Sequence, residues 1–441
     1  MKSVFIRELE HYSKSKIMEI LGDNENIFNQ LQEYAVIDNE NDLYHFKYVG
    51  VIIIENCVIN CYPKYISNKD NISSDFKQVL NVIKKYKKLH DDFSYENEEL
   101  EDISFNLLSL MLFFIEDYYE NGIYTNIQNI LEINGNGEIN WDRTINDNFA
   151  LIKENKPYYT ELQTKYKIDD LYDYFRLLHE YIITDCSKRL EKSNLLEYFD
   201  LMNVELSDKT LDDFGDVDYI LTRIEKELNI EFNTHKQKLL KSMHAYLSNK
   251  NSFTNENFLT LYGTSSYHVI WEEMCSQVFS NKLDKQLKDI INTKSNLRLI
   301  DIIEKPNWIS NYDFSIRAKD TYIPDLITFF KGKFIIFDAK YYNIKFKRDQ
   351  LAGQPGIESI SKQYFYELAY KTFIDYVGFK GVKNAFLFPT YDNEIDNKGY
   401  VELKMLSKLG LENIQVIMLP ASEINQLYLD NKKMDISRLN L

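Results

Sequence analysis

A chain of 441 residues with 44% apolar and 14% aromatic side chains has ample material for packed cores, which excludes a disordered polymer and suits two to three domains. Only 14 glycines and 7 prolines are present, which excludes collagen-like and loop-dominated architectures. The net charge of −16 speaks against a chain that simply coats nucleic acid, but residues 1–260 hold 28 Lys+Arg against 46 Asp+Glu while residues 261–441 hold 24 against 22. The acidic load therefore sits in the first part, and a chain split this way suits contact with protein through one half and with nucleic acid through the other.

The N-terminus, MKSVFIRELEHYS, breaks into charge too early for a secretory signal, and no apolar run approaches the roughly 20 residues of a membrane span. The expectation is a cytoplasmic protein with no membrane partner. Cys57, Cys61, Cys186 and Cys275 are scattered, and the Cys57/Cys61 spacing lacks a second pair, so all four are read as reduced packing residues. Residues 1–70 form a β-rich region, in which Phe46–Ile54 and Cys57–Cys61 flank Glu55-Asn56 as a hairpin. Residues 71–255 read as mainly helical, with apolar residues three and four apart over Leu171–Leu190 and Asp218–Leu228. Within them, LEINGNGEINWDRTI (131–145) is a short β element whose Gly135-Asn136-Gly137 turn links two strands, and Asp91–Asp102 is a solvated acidic cluster. From 256 to 441 the order is a helix over Tyr267–Phe279, a strand pair, a helix over Ile360–Ile374, and strands at Asn384–Pro389 and Ile414–Leu419. The fold class is α/β (α+β), with a C-terminal mixed sheet flanked by helices.

The strand pair carries the chemistry. In IPDLITFFKGKFIIFDAKYY (323–342), Asp325, Asp338 and Lys340 interrupt apolar runs. Lys331-Gly332 has the composition of a two-residue hairpin turn. With Phe330 opposite Lys333, the register sets Asp325 directly across from Asp338, and Lys340 shares their face by the period of two. Two buried carboxylates at that separation repel, and a divalent cation resolves the conflict: Mg²⁺, with Mn²⁺ as a substitute, takes hard oxygen ligands. Such an ion polarises a phosphoryl oxygen and acidifies a bound water, while the Lys340 ammonium steadies the water or the developing charge. A plain salt bridge between Asp325 and Lys340 is the structural alternative.

Pro324-Asp325 followed by Asp338-Ala339-Lys340 resembles the PD-(D/E)xK nuclease superfamily, with a core order α, β, β, β, α, β that needs one further strand, expected near Leu297–Ile303. That resemblance implies a third carboxylate from the preceding helix. Glu272 borders the apolar stripe of Trp271, Cys275, Val278 and Phe279 and is the candidate, whereas Glu273 falls about 100° further round and is read as solvated. It also implies a Gln on the later helix that orients the lysine or a substrate phosphate; Gln363 matches this place, with a solvent-facing residue as the alternative.

Larger blocks carry a closer likeness. YGTSSYHVIWEEMCSQVF, IPDLITF, FDAKYY, SKQYFYELAYK, FKYVGVIIIENCVINCYPKYI and NGNGEINWDRTI together resemble the nuclease subunit of LlaJI-type restriction systems and, more distantly, McrC, the nuclease partner of the GTP-driven McrB motor. The resemblance implies a Mg²⁺-dependent endonuclease that cuts double-stranded DNA when docked, through its N-terminal half, on a McrB-like AAA+ GTPase. The chain itself has no GxxxxGK[ST] loop and is expected to bind no nucleotide. Arg143 lies in the block shared with McrC-like proteins and suits either the motor interface or an ordinary surface position beside Trp141. The competing readings are a stand-alone repair nuclease or junction resolvase, and an inactive nuclease-fold adaptor of the motor.

Overall fold

The computed structural model describes residues 2–54, 57–68, 70–90, 107–249, 259–311, 314–347 and 350–441. The Glu55-Asn56 turn and the Asp91–Asp102 cluster lie outside them. The chain divides into two compact units, one made of Met1–Asn97 with Leu261–Leu441, the other of Glu98–Thr260. The sequence boundaries near 70 and 255 are changes of composition; the packing joins the chain's two ends.

Among the described residues, the first unit holds a four-stranded and a five-stranded sheet besides three two-stranded ribbons. The first sheet has strands β1 (Lys2–Arg7), β2 (Val49–Ile54), β3 (Cys57–Tyr62) and β4 (Leu259–Thr264) in the order β1-β3-β2-β4. β2 and β3 pair antiparallel, with Ile54 opposite Cys57, as the β-branched runs require. Both strands are buried on both faces, which is why they read as continuous apolar segments without alternation. Gly263 lets β4 approach β2: a Cβ there would stand 2.2 Å from the Val49 carbonyl oxygen. Helix α1 (Ile72–His90) packs on this sheet through Phe76, Val79, Leu80 and Ile83. Its Gln78 donates to the Ser422 carbonyl at 3.0 Å, and Lys85 donates to the Asn431 side chain at 2.8 Å, which fastens residues 1–97 to the end of the chain.

The second sheet contains β5 (Leu326–Phe330), β6 (Lys333–Ala339), β7 (Val382–Thr390), β8 (Asp396–Val401) and β9 (Ile414–Pro420), in the order β5-β6-β7-β9-β8. The central strands β6, β7 and β9 run parallel, and the two edges are antiparallel. Helix α2 (Tyr267–Val278) precedes the hairpin, α3 (Ile357–Val377) crosses between β6 and β7, and α4 (Ala421–Leu429) follows β9. On one face of β6, Phe334 and Ile336 join Ile327, Tyr366, Tyr370 and Ile374 in a core cluster. On the other, the Phe337 ring lies 5.3 Å from Phe279 at the end of α2. Phe334, Ile336 and Ile327 are each 0% exposed, and full burial of such a side chain is worth about 1.5–3 kcal/mol. The unit is thus a mixed α/β structure.

Two sequence expectations change here. Leu299–Ile302 is a 3-10 helix rather than a strand; Arg298 bonds Asp301 within the turn at 3.0 Å, and a local ion pair of that spacing favours a turn over an extended segment. The antiparallel edge strand β8 was not anticipated, because its polar sequence DNKGYV lacks the alternation of a half-buried strand.

The second unit contains helices Leu107–Asn121, Tyr174–Lys192, Val217–Leu228 and Thr234–Ser248, the second and third where the periodicity predicts them, but also more strand than expected. Ile127–Ile133 and Glu138–Ile139, joined by the Gly135-Asn136-Gly137 turn, do not pair with each other; Gln163–Asp169 inserts between them. A Cβ on Gly137 would stand 2.4 Å from the Lys165 carbonyl oxygen, so the glycine serves that third strand. A separate ribbon, Ala150–Lys153 with Lys156–Tyr159, exposes Phe149, Leu151, Ile152 and Tyr158. Among the described residues, no helix is long and apolar enough to cross a membrane. All four cysteines are free and buried.

Candidate active site

The hairpin register is the one its turn dictates. Lys331 and Gly332 both adopt positive φ (49° and 78°), and Phe330 pairs with Lys333. The last laddered pair is Leu326 with Phe337, so Asp325 and Asp338 are the next residues outward. Asp325 is tied down at both backbone and side chain. Its carbonyl accepts from the Asn281 amide at 3.2 Å, and its Oδ2 accepts from the Ala339 N–H at 2.8 Å. Asn281 also accepts from the Ile327 N–H at 3.1 Å, which sets the start of β5. No sequence signal pointed to Asn281, because a lone Asn after a helix reads as an ordinary loop residue.

Asp338 is 4% exposed, and its Oδ2 lies 2.7 Å from the Lys340 ammonium. The lysine therefore pairs with Asp338, not with Asp325. Its backbone N–H donates to the Leu387 carbonyl at 2.9 Å, and the buried Trp271 indole donates to that same oxygen at 3.1 Å. Helix α2, strand β7 and the Lys340 backbone thus meet at one carbonyl. Glu272, next to Trp271 on α2, is half-buried and lies in the field of Lys340 and Asp338. Glu273 instead faces Tyr428 and Lys433 on the other side of α2.

The electrostatics follow from crowding. Burial, then repulsion from Asp338 and Glu272, raises the Asp325 carboxyl to about 8 against the pull of Lys340. Burial raises Glu272, with Lys340 opposing and Asp338 adding to the shift. Lys340 is desolvated, which lowers its affinity for a proton, but Asp338, Asp325 and Glu272 outweigh this and raise it. Three carboxylates around one ammonium leave uncompensated negative charge in a half-buried site, and that charge fits a divalent cation with oxygen ligands. Among the described residues, the group whose ligating atoms all lie within 4.8 Å of one another is His11, Glu40 and His45; Asp325, Asp338 and Glu272 do not all meet that spacing. Asp338 and Lys340 lie at the carboxyl end of β6, the end of the parallel strands at which open α/β sheets bind ligands.

Gln363 is placed differently from its sequence expectation. It is fully buried, and its amide donates to Asn384 Oδ1 at 2.6 Å and to the Ile336 carbonyl at 3.3 Å. Asn384 in turn donates to Glu367 at 3.3 Å, and Glu367 accepts from the Glu412 N–H at 3.0 Å. The chain Gln363–Asn384–Glu367 ties α3 to β6 and β7 without a hydrogen bond to Lys340. Tyr366, one turn along α3 and unflagged by the sequence, is the residue of that helix that feels the site: burial and then the charges of Asp338 and Asp325 raise its phenol.

Comparison with known proteins bears out the likeness to LlaJI-type restriction systems. Over 445 aligned residues, 98% of this chain and 90% of the other, the chain is 29% identical to the type II restriction enzyme BsuMI component YdjA of Bacillus subtilis (strain 168). Among solved structures, McrC bound to McrB AAA+ hexamers of Thermococcus gammatolerans aligns over 98% of this chain and all of its own at 11% identity, with a TM-score of 0.40. The LlaJI restriction endonuclease family profile matches residues 48–425. With most of the chain spanned by that match, the protein belongs to the LlaJI restriction endonuclease family.

Proposed function

We propose that this chain is the DNA-cutting component of a restriction system, hydrolysing phosphodiester bonds with Mg²⁺ (or Mn²⁺) in a PD-(D/E)xK core. The observation that carries the reading is the meeting of Asp325, Asp338 and Glu272 around Lys340 at the carboxyl end of β6. Asp325 and Asp338, with Glu272, are the residues that would hold the ion. When bound, Mg²⁺ supplies a Lewis acid for a phosphoryl oxygen and acidifies a coordinated water. Asp338 keeps the Lys340 ammonium in place, and the ammonium offsets negative charge that builds on the phosphate. Asn281 and the Ala339 N–H keep Asp325 facing the crevice. The α3, β5–β6, β7 and β9 arrangement supports the PD-(D/E)xK reading, with the Leu299–Ile302 turn as a departure from it.

The partner in this reading is a McrB-like AAA+ GTPase that feeds double-stranded DNA to the site in the cytoplasm. Its supports are the McrC-like blocks, the lack of a P-loop in this chain, and the word "component" in the name of the Bacillus relative. The exposed Phe149, Leu151, Ile152 and Tyr158 of the second unit offer it an apolar surface, with Arg143 on the neighbouring short helix. Cleavage of double-stranded DNA by this chain with and without the GTPase, GTP and Mg²⁺ tests the proposal. Cutting that needs all three is expected. Full-rate cutting by the isolated chain would favour a stand-alone nuclease, and no cutting in any mixture would favour an inactive adaptor.

A further inference from the structure

Far from the nuclease motif in sequence, the first unit gathers His11, Glu40 and His45. The hairpin Ile37–Glu40 with Leu43–Phe46 pairs Asp38 with His45 and Glu40 with Leu43, so Glu40 and His45 are diagonal neighbours on one face. The segment after β1 joins this hairpin through an antiparallel bridge between Tyr12 and Tyr44, and the same register sets His11 opposite His45. Two strands and the segment bridged to them therefore deliver one ligating side chain each, and their ligating atoms all lie within 4.8 Å of one another.

His11 and Glu40 alone would be an unremarkable surface pair. Nε2 and Oε2 are 3.6 Å apart, with side chains 46% and 65% exposed, and such pairs contribute about 0–1 kcal/mol. His45 does not fit that description. It is 6% exposed, its ring lies 5.3 Å from that of His11, and its Nδ1 has no hydrogen-bond partner. An unsatisfied buried polar atom costs about 1–3 kcal/mol. Lys47, two residues beyond His45, is engaged by Asp38.

We propose that His11, Glu40 and His45 bind a zinc-class transition-metal ion that clamps the segment following β1 onto the 37–46 hairpin. Two imidazoles and one carboxylate form a three-ligand set typical of Zn²⁺, with water as the fourth ligand, and imidazole donors select against Mg²⁺. Ligand atoms about 2.0–2.1 Å from a tetrahedral ion are about 3.4 Å apart, so the His11–Glu40 separation of 3.6 Å needs almost no adjustment. This site is independent of the nuclease reading.

The test uses the full-length chain without a histidine tag, stripped by a chelator and titrated with Zn²⁺ against a chromophoric competitor. One equivalent is expected in the native chain and also in Asp338→Asn, which separates this site from the carboxylate crevice. Because His11 and Glu40 are exposed, His11→Ala and Glu40→Gln keep the fold and are expected to weaken Zn²⁺ by at least about tenfold. Zn²⁺ raises the melting temperature of the native chain and not that of His11→Ala. No stoichiometric Zn²⁺ in the native chain, or unchanged affinity in either variant, would overturn the proposal.

Discussion

The Asp325 carboxylate accepts a hydrogen bond from the Ala339 N–H at 2.8 Å, so the first acid is anchored to the strand that carries the second. The anchor holds two like charges together against their repulsion, an arrangement that costs stability. In chelator, Asp325→Asn is expected to melt at a higher temperature than the native chain, since Asn still accepts from Ala339 and carries no charge. The same variant is expected to lose DNA cleavage. A lower melting temperature, measured by calorimetry above pH 8, would contradict the assigned crowding.

Trp271 and Lys340 share the Leu387 carbonyl. Trp271→Phe keeps the aromatic packing but removes one donor, a loss of about 1 kcal/mol. Thermal unfolding should report that modest drop, and cleavage should fall further than the stability does, because the lysine's backbone anchor loses its companion.

Gln363 offers a contrast between packing and chemistry. Its partners are Asn384 and the Ile336 carbonyl, so Gln363→Leu is expected to reduce stability by about 1–3 kcal/mol through unsatisfied Asn384. The turnover of the folded fraction should stay near that of the native chain. A large loss of turnover at unchanged stability would restore a direct role beside Lys340.

Glu367 supplies a pH signature. Burial, opposed by the Glu412 N–H and Asn384, raises its carboxyl to about 7. A raised folded pKa means that the contribution to stability is full below the ordinary carboxylate range and is lost as pH rises toward 7. Glu367→Gln removes the titration, so the stability difference between variant and native chain is expected to grow between about pH 4.5 and 7 and then level off. Chemical denaturation across that window measures it.

The hairpin was legible because its determinants are local. The Lys331-Gly332 turn fixes the register, the register fixes which side chains oppose each other, and the charges at Asp325 and Asp338 stand out in apolar strands. Glu272 and Glu273 could be told apart because a helix face has a known period. What stayed hidden depends on partners distant in sequence. Asn281 reaches β5, Gln363 reaches Asn384, and residues 1–97 reach the C-terminal part, none of which has a local pattern. The Gly135-Asn136-Gly137 turn misled for the same reason, since the strand it serves comes from residues 163–169.

The most direct measurement is cleavage of double-stranded DNA in Mg²⁺, with the GTPase partner and GTP present, by Asp338→Ala and Lys340→Ala chains whose folding is verified by circular dichroism. Both are expected to lose activity by about a hundredfold or more. Cleavage at the native rate by both folded variants would contradict the assignment of the crevice at the end of β6 as the active site.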